Sequence, residues 1–165
     1  MILNIFILAL VTLQRLGELW LSRRNTRRLL ADGAHEHSPG HYPLIVAVHA
    51  LWLTSLWWLA PVRPIAPIWL ALFILIEIGR IWVLASLGRR WTTRIIVLAR
   101  APLVRRGPYR FVSHPNYLVV AAEIAVLPLV FGLWQVALIF TLLNAAVLAI
   151  RIRAENAALS ACQPR

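Results

Sequence analysis

Two polar clusters in an otherwise apolar chain have the side chains of a binding site. The first is Arg105-Arg106-Gly107-Pro108-Tyr109-Arg110, followed by His114-Pro115-Asn116-Tyr117. Gly107-Pro108 marks a turn. His114 precedes a proline, which biases it away from helix. Pro115 suits the first turn of a helix, where its missing N–H costs nothing. His114 and Tyr117 therefore fall at a helix N-terminus, whose exposed N–H groups favour a carboxylate or another anion. The second cluster is Arg151-Ile152-Arg153-Ala154-Glu155-Asn156. Arg151 and Glu155 are four apart and share one helix face. A guanidinium takes a carboxylate through forked hydrogen bonds, and a carboxylate takes an ammonium or a hydroxyl. The pair would suit a zwitterionic ligand with an amino-acid moiety. On spacing alone, a solvated terminal helix with a weak surface pair is the simpler account.

A second kind of candidate is the ionisable residue inside an apolar run. Arg15 and Glu18 are three apart in the first run, and Glu77 and Arg80 are three apart in the third. Glu123 stands in the fourth without a local partner. Such groups are costly in a bilayer and normally face the bundle interior or a watery cavity. Structural ion pairing explains Arg15 and Glu18; Glu77, Arg80 and Glu123 sit deeper and are equally open to catalysis. His35, Glu36, His37 and His41 are metal-capable and close in sequence, but match no ligand spacing of known type. No metal is expected, and that loop reads as packing against the site.

The elements that must position these residues are membrane helices. Of 165 residues 61% are hydrophobic and only 14% charged, against about a quarter charged in soluble domains. The mean hydropathy is +0.74. Five apolar segments stand out, at 2–21, 42–60, 65–87, 117–131 and 133–150. The first three approach the ~20 residues that span hydrocarbon. The fourth is short, contains Pro128 and is separated from the fifth only around Gly132, so these two read as a tight hairpin. The fold class is thus an all-α integral membrane protein of about five transmembrane helices, with a C-terminal helix at the cytoplasmic face, in one domain over 1–165. Trp52, Trp57, Trp58, Trp69, Trp82 and Trp134 read as interfacial anchors. With one cysteine, Cys162, no internal disulfide is possible. The first run has neither a basic region before it nor a cleavage site after it, so it is expected to be retained.

The net charge is +11, from 17 arginines and no lysine against 6 acidic residues. Arginines gather after the first run (Arg23, Arg24, Arg27, Arg28), after the third (Arg89, Arg90, Arg94, Arg100, Arg105, Arg106, Arg110) and after the fifth (Arg151, Arg153). Placing them inside puts the N-terminus outside and the C-terminus in the cytoplasm. Since the arginines follow topology and no basic domain stands apart, nucleic acid is not expected as a partner.

The run Gly107-Pro108-Tyr109-Arg110-Phe111-Val112-Ser113-His114-Pro115-Asn116-Tyr117, the hairpin after it and Arg151-Ile152-Arg153-Ala154-Glu155 resemble the isoprenylcysteine carboxyl methyltransferase family. Leu87-Gly88-Arg89-Arg90-Trp91-Thr92-Thr93-Arg94-Ile95, and Gly33 to His37 leading into His41-Tyr42-Pro43, resemble its bacterial branch, which points to a bacterial inner membrane. The resemblance implies S-adenosylmethionine as methyl donor, entering from the cytosol, and a lipid-like acceptor entering from the bilayer. It implies cofactor contacts at His114, Pro115, Tyr117, Arg151 and Glu155, with Tyr109 and Arg110 shaping the same pocket. The family usually ends in two adjacent glutamates; here the second is Asn156, which brings no charge, so weaker cofactor binding is expected. Relatives include enzymes that O-methylate long-chain alkylpyrones and alkylresorcinols, which favours a phenolic or enolic hydroxyl. A carboxylate, a prenylated cysteine, another isoprenoid or a phospholipid amine are the alternatives.

In-line displacement at a sulfonium methyl gains from an apolar pocket and from positioning. An enol or carboxylate needs little help, whereas a phenol, with a pKa near 10 like tyrosine, needs a base. Buried Glu123 or Glu77 would take that proton, and Arg80 would hold the oxyanion. Outside enzymes, a small transporter or assembly subunit would use the buried charges, but the paired broken helices or similar halves of a transporter are missing. The arginine distribution makes a direct prediction. A fluorescent protein fused after Arg165 should fluoresce in a bacterial host, and an alkaline phosphatase fused there should be inactive; the reverse pattern would invert the topology.

Overall fold

The computed structural model describes residues 1–98 and 104–162. Arg100 lies outside the described residues, as do the side chains of His41 and Cys162. Among the described residues there are five α-helices: α1 (Ile2–Ala31), α2 (Tyr42–Leu59), α3 (Pro67–Leu87), α4 (Pro115–Val130) and α5 (Trp134–Cys162). In hydrocarbon every backbone polar group must be satisfied within its own segment, so long apolar runs become helices. By length and composition α1, α2, α3 with the turn that follows it, and α5 can each cross a membrane, while α4 is a shorter apolar helix. The protein is an all-α integral membrane protein.

Two helices outrun the apolar segments that mark them. α1 continues ten residues past Leu21, so Arg23, Arg24, Arg27 and Arg28 stand on exposed helix rather than in a loop. Extending an existing helix adds one hydrogen bond per residue fixed, and the chain offers no glycine or proline before Gly33. There a left-handed backbone (φ 87°) stops it. α5 likewise runs on through Arg151 and Glu155, so the expected separate C-terminal helix is its last three turns.

The end of the bundle away from the arginines is pinned. Asn4 donates to the Ala60 and Arg63 carbonyls, each at 2.7 Å. The Ala66 amide donates to the Val130 carbonyl at 2.8 Å. The α4–α5 hairpin turns at Gly132, whose φ of 68° favours glycine. Leu8, Val11, Leu56, Phe73, Ile124, Leu127, Phe131 and Phe140 form an apolar core in this half. Trp52 belongs to that core at 1% exposure, so it is not an interfacial anchor; Trp58 and Trp134 are exposed, as anchors must be.

The arginine-rich end is stitched by polar contacts. The α1 extension supplies Asn25, which donates to the Gly88 and Trp91 carbonyls, and Ser22, which bonds Thr93. The buried Trp91 indole faces Asn116 on the first turn of α4 at 3.4 Å. His35–Glu36 (β1) pairs antiparallel with Ile96–Val97 (β2), and Arg94 bonds Glu36 at 3.0 Å and lies over the Tyr42 ring. Arg106 donates to the Ser86 carbonyl at 2.7 Å. At Gly107 (φ 57°) a Cβ would collide with the Ser86 hydroxyl, so this turn tolerates only glycine against α3.

Candidate functional site

The two polar clusters meet at the arginine-rich end. Pro115 starts α4 and His114 precedes it, as the sequence requires. From α4, the Tyr117 hydroxyl donates to the Glu155 carboxylate. The same hydroxyl accepts from Arg151 Nε at 2.8 Å, and the Arg151 guanidinium lies over the Tyr117 ring, 5.4 Å from its centroid. Arg151 and Glu155 thus share a face of α5 but are joined through Tyr117. His114 stacks on Tyr117 with ring centroids 5.3 Å apart, and its Nε2–H donates to Asn156 Oδ1 at 3.2 Å. Asn156 therefore has a definite partner.

Tyr109 stands half-buried in the turn ahead of α4. Burial, and then the Glu155 charge, push its phenol well above the usual range, so it remains a hydrogen-bond donor at physiological pH. Arg110 is exposed, its guanidinium 5.9 Å from the Phe111 ring centroid; among the described residues it is not joined to this network.

Arg151 is only 7% exposed. Its Nε is used, and its two terminal nitrogens have no partner among the described residues. An open guanidinium fork is the donor set that a carboxylate takes.

Deeper in the bundle the intramembrane charges form one closed cluster. Arg80, 4% exposed, grips both oxygens of Glu18 and donates to Glu123 Oε2 at 2.8 Å. Arg15 donates to Glu18 at 3.2 Å and to Glu123 Oε2 at 2.6 Å. Two guanidiniums and two carboxylates alternate, each charge between two opposite ones. Glu77 and Arg80, three apart on α3, are not bonded to each other: Arg80 turns to α1 and α4, and Glu77 accepts from Gln14 at 2.7 Å. Glu123, fully buried, has lost Oε2 to both arginines, and among the described residues its Oε1 has no partner. Glu77 Oε1 and Arg15 Nε are also unpartnered.

Sequence reasoning placed Arg15 and Glu18 in a local pair and missed that Glu18 is the centre of the cluster. It passed over His49 and Asn144, polar residues of α2 and α5 whose presence in apolar runs was the available signal. Around His35 and Glu36, the Glu36 carboxylate is taken by Arg94, and among the described residues no three His, Cys, Asp or Glu side chains converge as metal ligands.

The cluster predicts a large asymmetry in stability. Arg80→Ala leaves two buried carboxylates short of a partner and should cost about 3–5 kcal/mol. Glu36→Gln breaks a half-exposed pair and should cost about 1 kcal/mol or less. Unfolding of the detergent-purified variants measures both, and equal losses would contradict the cluster.

The family profile described as isoprenylcysteine carboxyl methyltransferase matches residues 69–161, which hold α3 to α5 and both polar clusters. The uncharacterized protein YpbQ of Bacillus subtilis (strain 168) is 36% identical over 166 positions, covering 93% of this chain and 94% of that one. No solved structure matches. By the profile and by this end-to-end similarity, the chain belongs to the isoprenylcysteine carboxyl methyltransferase family of membrane enzymes.

Proposed function

We propose that the protein uses S-adenosylmethionine to methylate an oxygen of a lipid-like acceptor inside the membrane, with a phenolic or enolic hydroxyl of a long-chain polyketide as the first choice. The observation that carries the reading is the open fork of buried Arg151 at the arginine-rich end of an apolar bundle. The cofactor presents a carboxylate, an ammonium and ribose hydroxyls at one end, and the side chains gathered there match that set. Arg151 would take the carboxylate through its terminal nitrogens. Glu155, held by Tyr117, would take the ammonium, and Asn156, held by His114, would meet the ribose. Tyr109 would donate from the turn ahead of α4. When bound, the cofactor supplies an electrophilic methyl on a sulfonium.

The chain's own contribution is positioning and exclusion of water. Tyr117 is fixed on three sides, by His114, Arg151 and Glu155, so the floor of the pocket is built before any ligand arrives. The exposed apolar flanks of the helices suit an acceptor with a long alkyl chain. Methylation of a prenylated cysteine carboxylate is the alternative, since the same pocket serves an acceptor that is already anionic. The buried charge cluster is assigned a supporting part: Arg80 would hold a developing oxyanion, and Glu123 and Glu77, each with one oxygen unpartnered among the described residues, would take a proton.

Calorimetry on the detergent-purified protein tests the reading. S-adenosylmethionine should bind saturably. Arg151→Ala should weaken it by about 10- to 150-fold, the equivalent of a charge-assisted hydrogen bond of about 1.5–3 kcal/mol. Arg110→Ala should leave it within about twofold, as expected of a surface charge. Absence of binding near 1 mM ligand, where the free energy is only about −4 kcal/mol, would remove the methyltransferase reading.

A further inference from the structure

α2 carries one ionisable residue in its apolar run, His49. Its Nδ1 lies 2.8 Å from the Ile45 carbonyl, one turn back. A carbonyl can only accept, so Nδ1 bears the proton and the neutral ring presents a lone pair on Nε2. Among the described residues Nε2 has no partner. This is the arrangement by which a backbone carbonyl fixes an imidazole tautomer and leaves the lone pair on the opposite nitrogen.

The depth of His49 follows from the pinned end of the bundle. Ala60 is level with Asn4 and Ala66 with Val130. At 1.5 Å per residue, His49 lies ~16 Å below Ala60 and Arg15 ~16 Å below Asn4, so they share a depth. Asn144 on α5 lies ~15 Å below Trp134, at that same level. Asn144 is only 3% exposed and its amide has no hydrogen-bond partner among the described residues. It precedes Arg151 by seven residues, which is two turns on the same face of α5. α2 packs on α5, so an unpartnered imidazole nitrogen and an unpartnered amide stand at one depth, two turns above the open Arg151 fork. Arg15 and Glu18 face this level from α1, Glu77 and Arg80 from α3, and Glu123 from α4, with Arg15, Arg80 and Glu123 within electrostatic reach of the imidazole. Glu123 favours a charged ring there, and Arg15 and Arg80 oppose it.

Resting on the methyltransferase reading, we infer that His49 Nε2 is the proton acceptor for the hydroxyl of the methyl acceptor and that the Asn144 amide orients that oxygen. The hydroxyl proton passes to Nε2. The oxygen forms its bond to the methyl carbon as that carbon's bond to sulfur breaks, the electron pair staying on sulfur. An imidazolium, a methyl ether and a neutral thioether remain. His49 takes this task ahead of Glu123, whose Oε2 is already shared by two guanidiniums.

A long-chain 4-alkyl-2-nitrophenol tests this without turnover, because its phenolate absorbs at longer wavelength than its phenol. At a pH where the probe is neutral in empty micelles, the wild-type protein without cofactor should bind it as phenolate. His49→Gln and His49→Asn should bind it as phenol, and both should keep wild-type calorimetric binding of S-adenosylmethionine, which shows that they fold. In turnover, the same variants should lose about 10²-fold or more with an unactivated alkylphenol, the usual share of a general base. They should recover towards wild type with the more acidic nitrophenol. The inference is overturned if the wild-type protein binds the probe as phenol or not at all, or if the variants ionise it as well as wild type. It is also overturned if only carboxylates are methylated. Ionisation through His49 with no methyl transfer to any acceptor, phenol, enol or carboxylate, would leave the proton acceptor standing and remove the methyltransferase reading.

Discussion

A ring of four alternating charges, Arg15–Glu18–Arg80–Glu123, fixes the arrangement of everything else. None of these groups can stand alone in hydrocarbon, and breaking a buried pair leaves an uncompensated charge that costs several kcal/mol. Glu18 and Arg15 come from α1, Arg80 from α3 and Glu123 from α4. Mutual satisfaction therefore sets the rotation and depth of three helices at once. The apolar core lies on one side of the ring and the polar network on the other. The cluster divides a bundle that dispersion forces alone would leave free to slide, since lipid tails compete equally for apolar side chains.

With that register set, α4 begins where α5 is turning polar. Tyr117 then falls between Arg151 and Glu155, and His114 falls against Asn156. The α1 extension and the Trp91 loop brace the first turn of α4 from the opposite side. The polar network is held by bonds among its own residues, and among its described donors the Arg151 fork is left open. That is the economy expected of a site in which positioning supplies much of the rate.

What the sequence revealed followed from local rules. Apolar runs gave the helices, Pro115 gave the start of α4, and Gly107-Pro108 gave the turn that needs a left-handed backbone against Ser86. The pairing of His114, Tyr117, Arg151 and Glu155 was legible through the family resemblance, since spacing alone allowed a surface ion pair. The charge cluster was not legible. Spacing of three suggested pairs within α1 and within α3, whereas Arg80 satisfies Glu18 and Glu123 on other helices, and no local rule encodes which helices are neighbours. The length of α1 was hidden for a related reason: hydropathy reports where lipid ends, and the helix continues past it. Trp52 illustrates the same limit, because a tryptophan in an apolar run has the same sequence signature whether it faces lipid or core.

The most direct test of the account is transfer of a radiolabelled methyl group from S-adenosylmethionine into the organic phase, using the protein reconstituted in vesicles with a long-chain alkylphenol. Organic-phase label from the wild-type protein, lost in Arg151→Ala, is the predicted result. Saturable cofactor binding with no label in the organic phase, whether the acceptor is an alkylphenol, an alkylpyrone, a prenylated cysteine or a bacterial lipid extract, would contradict it.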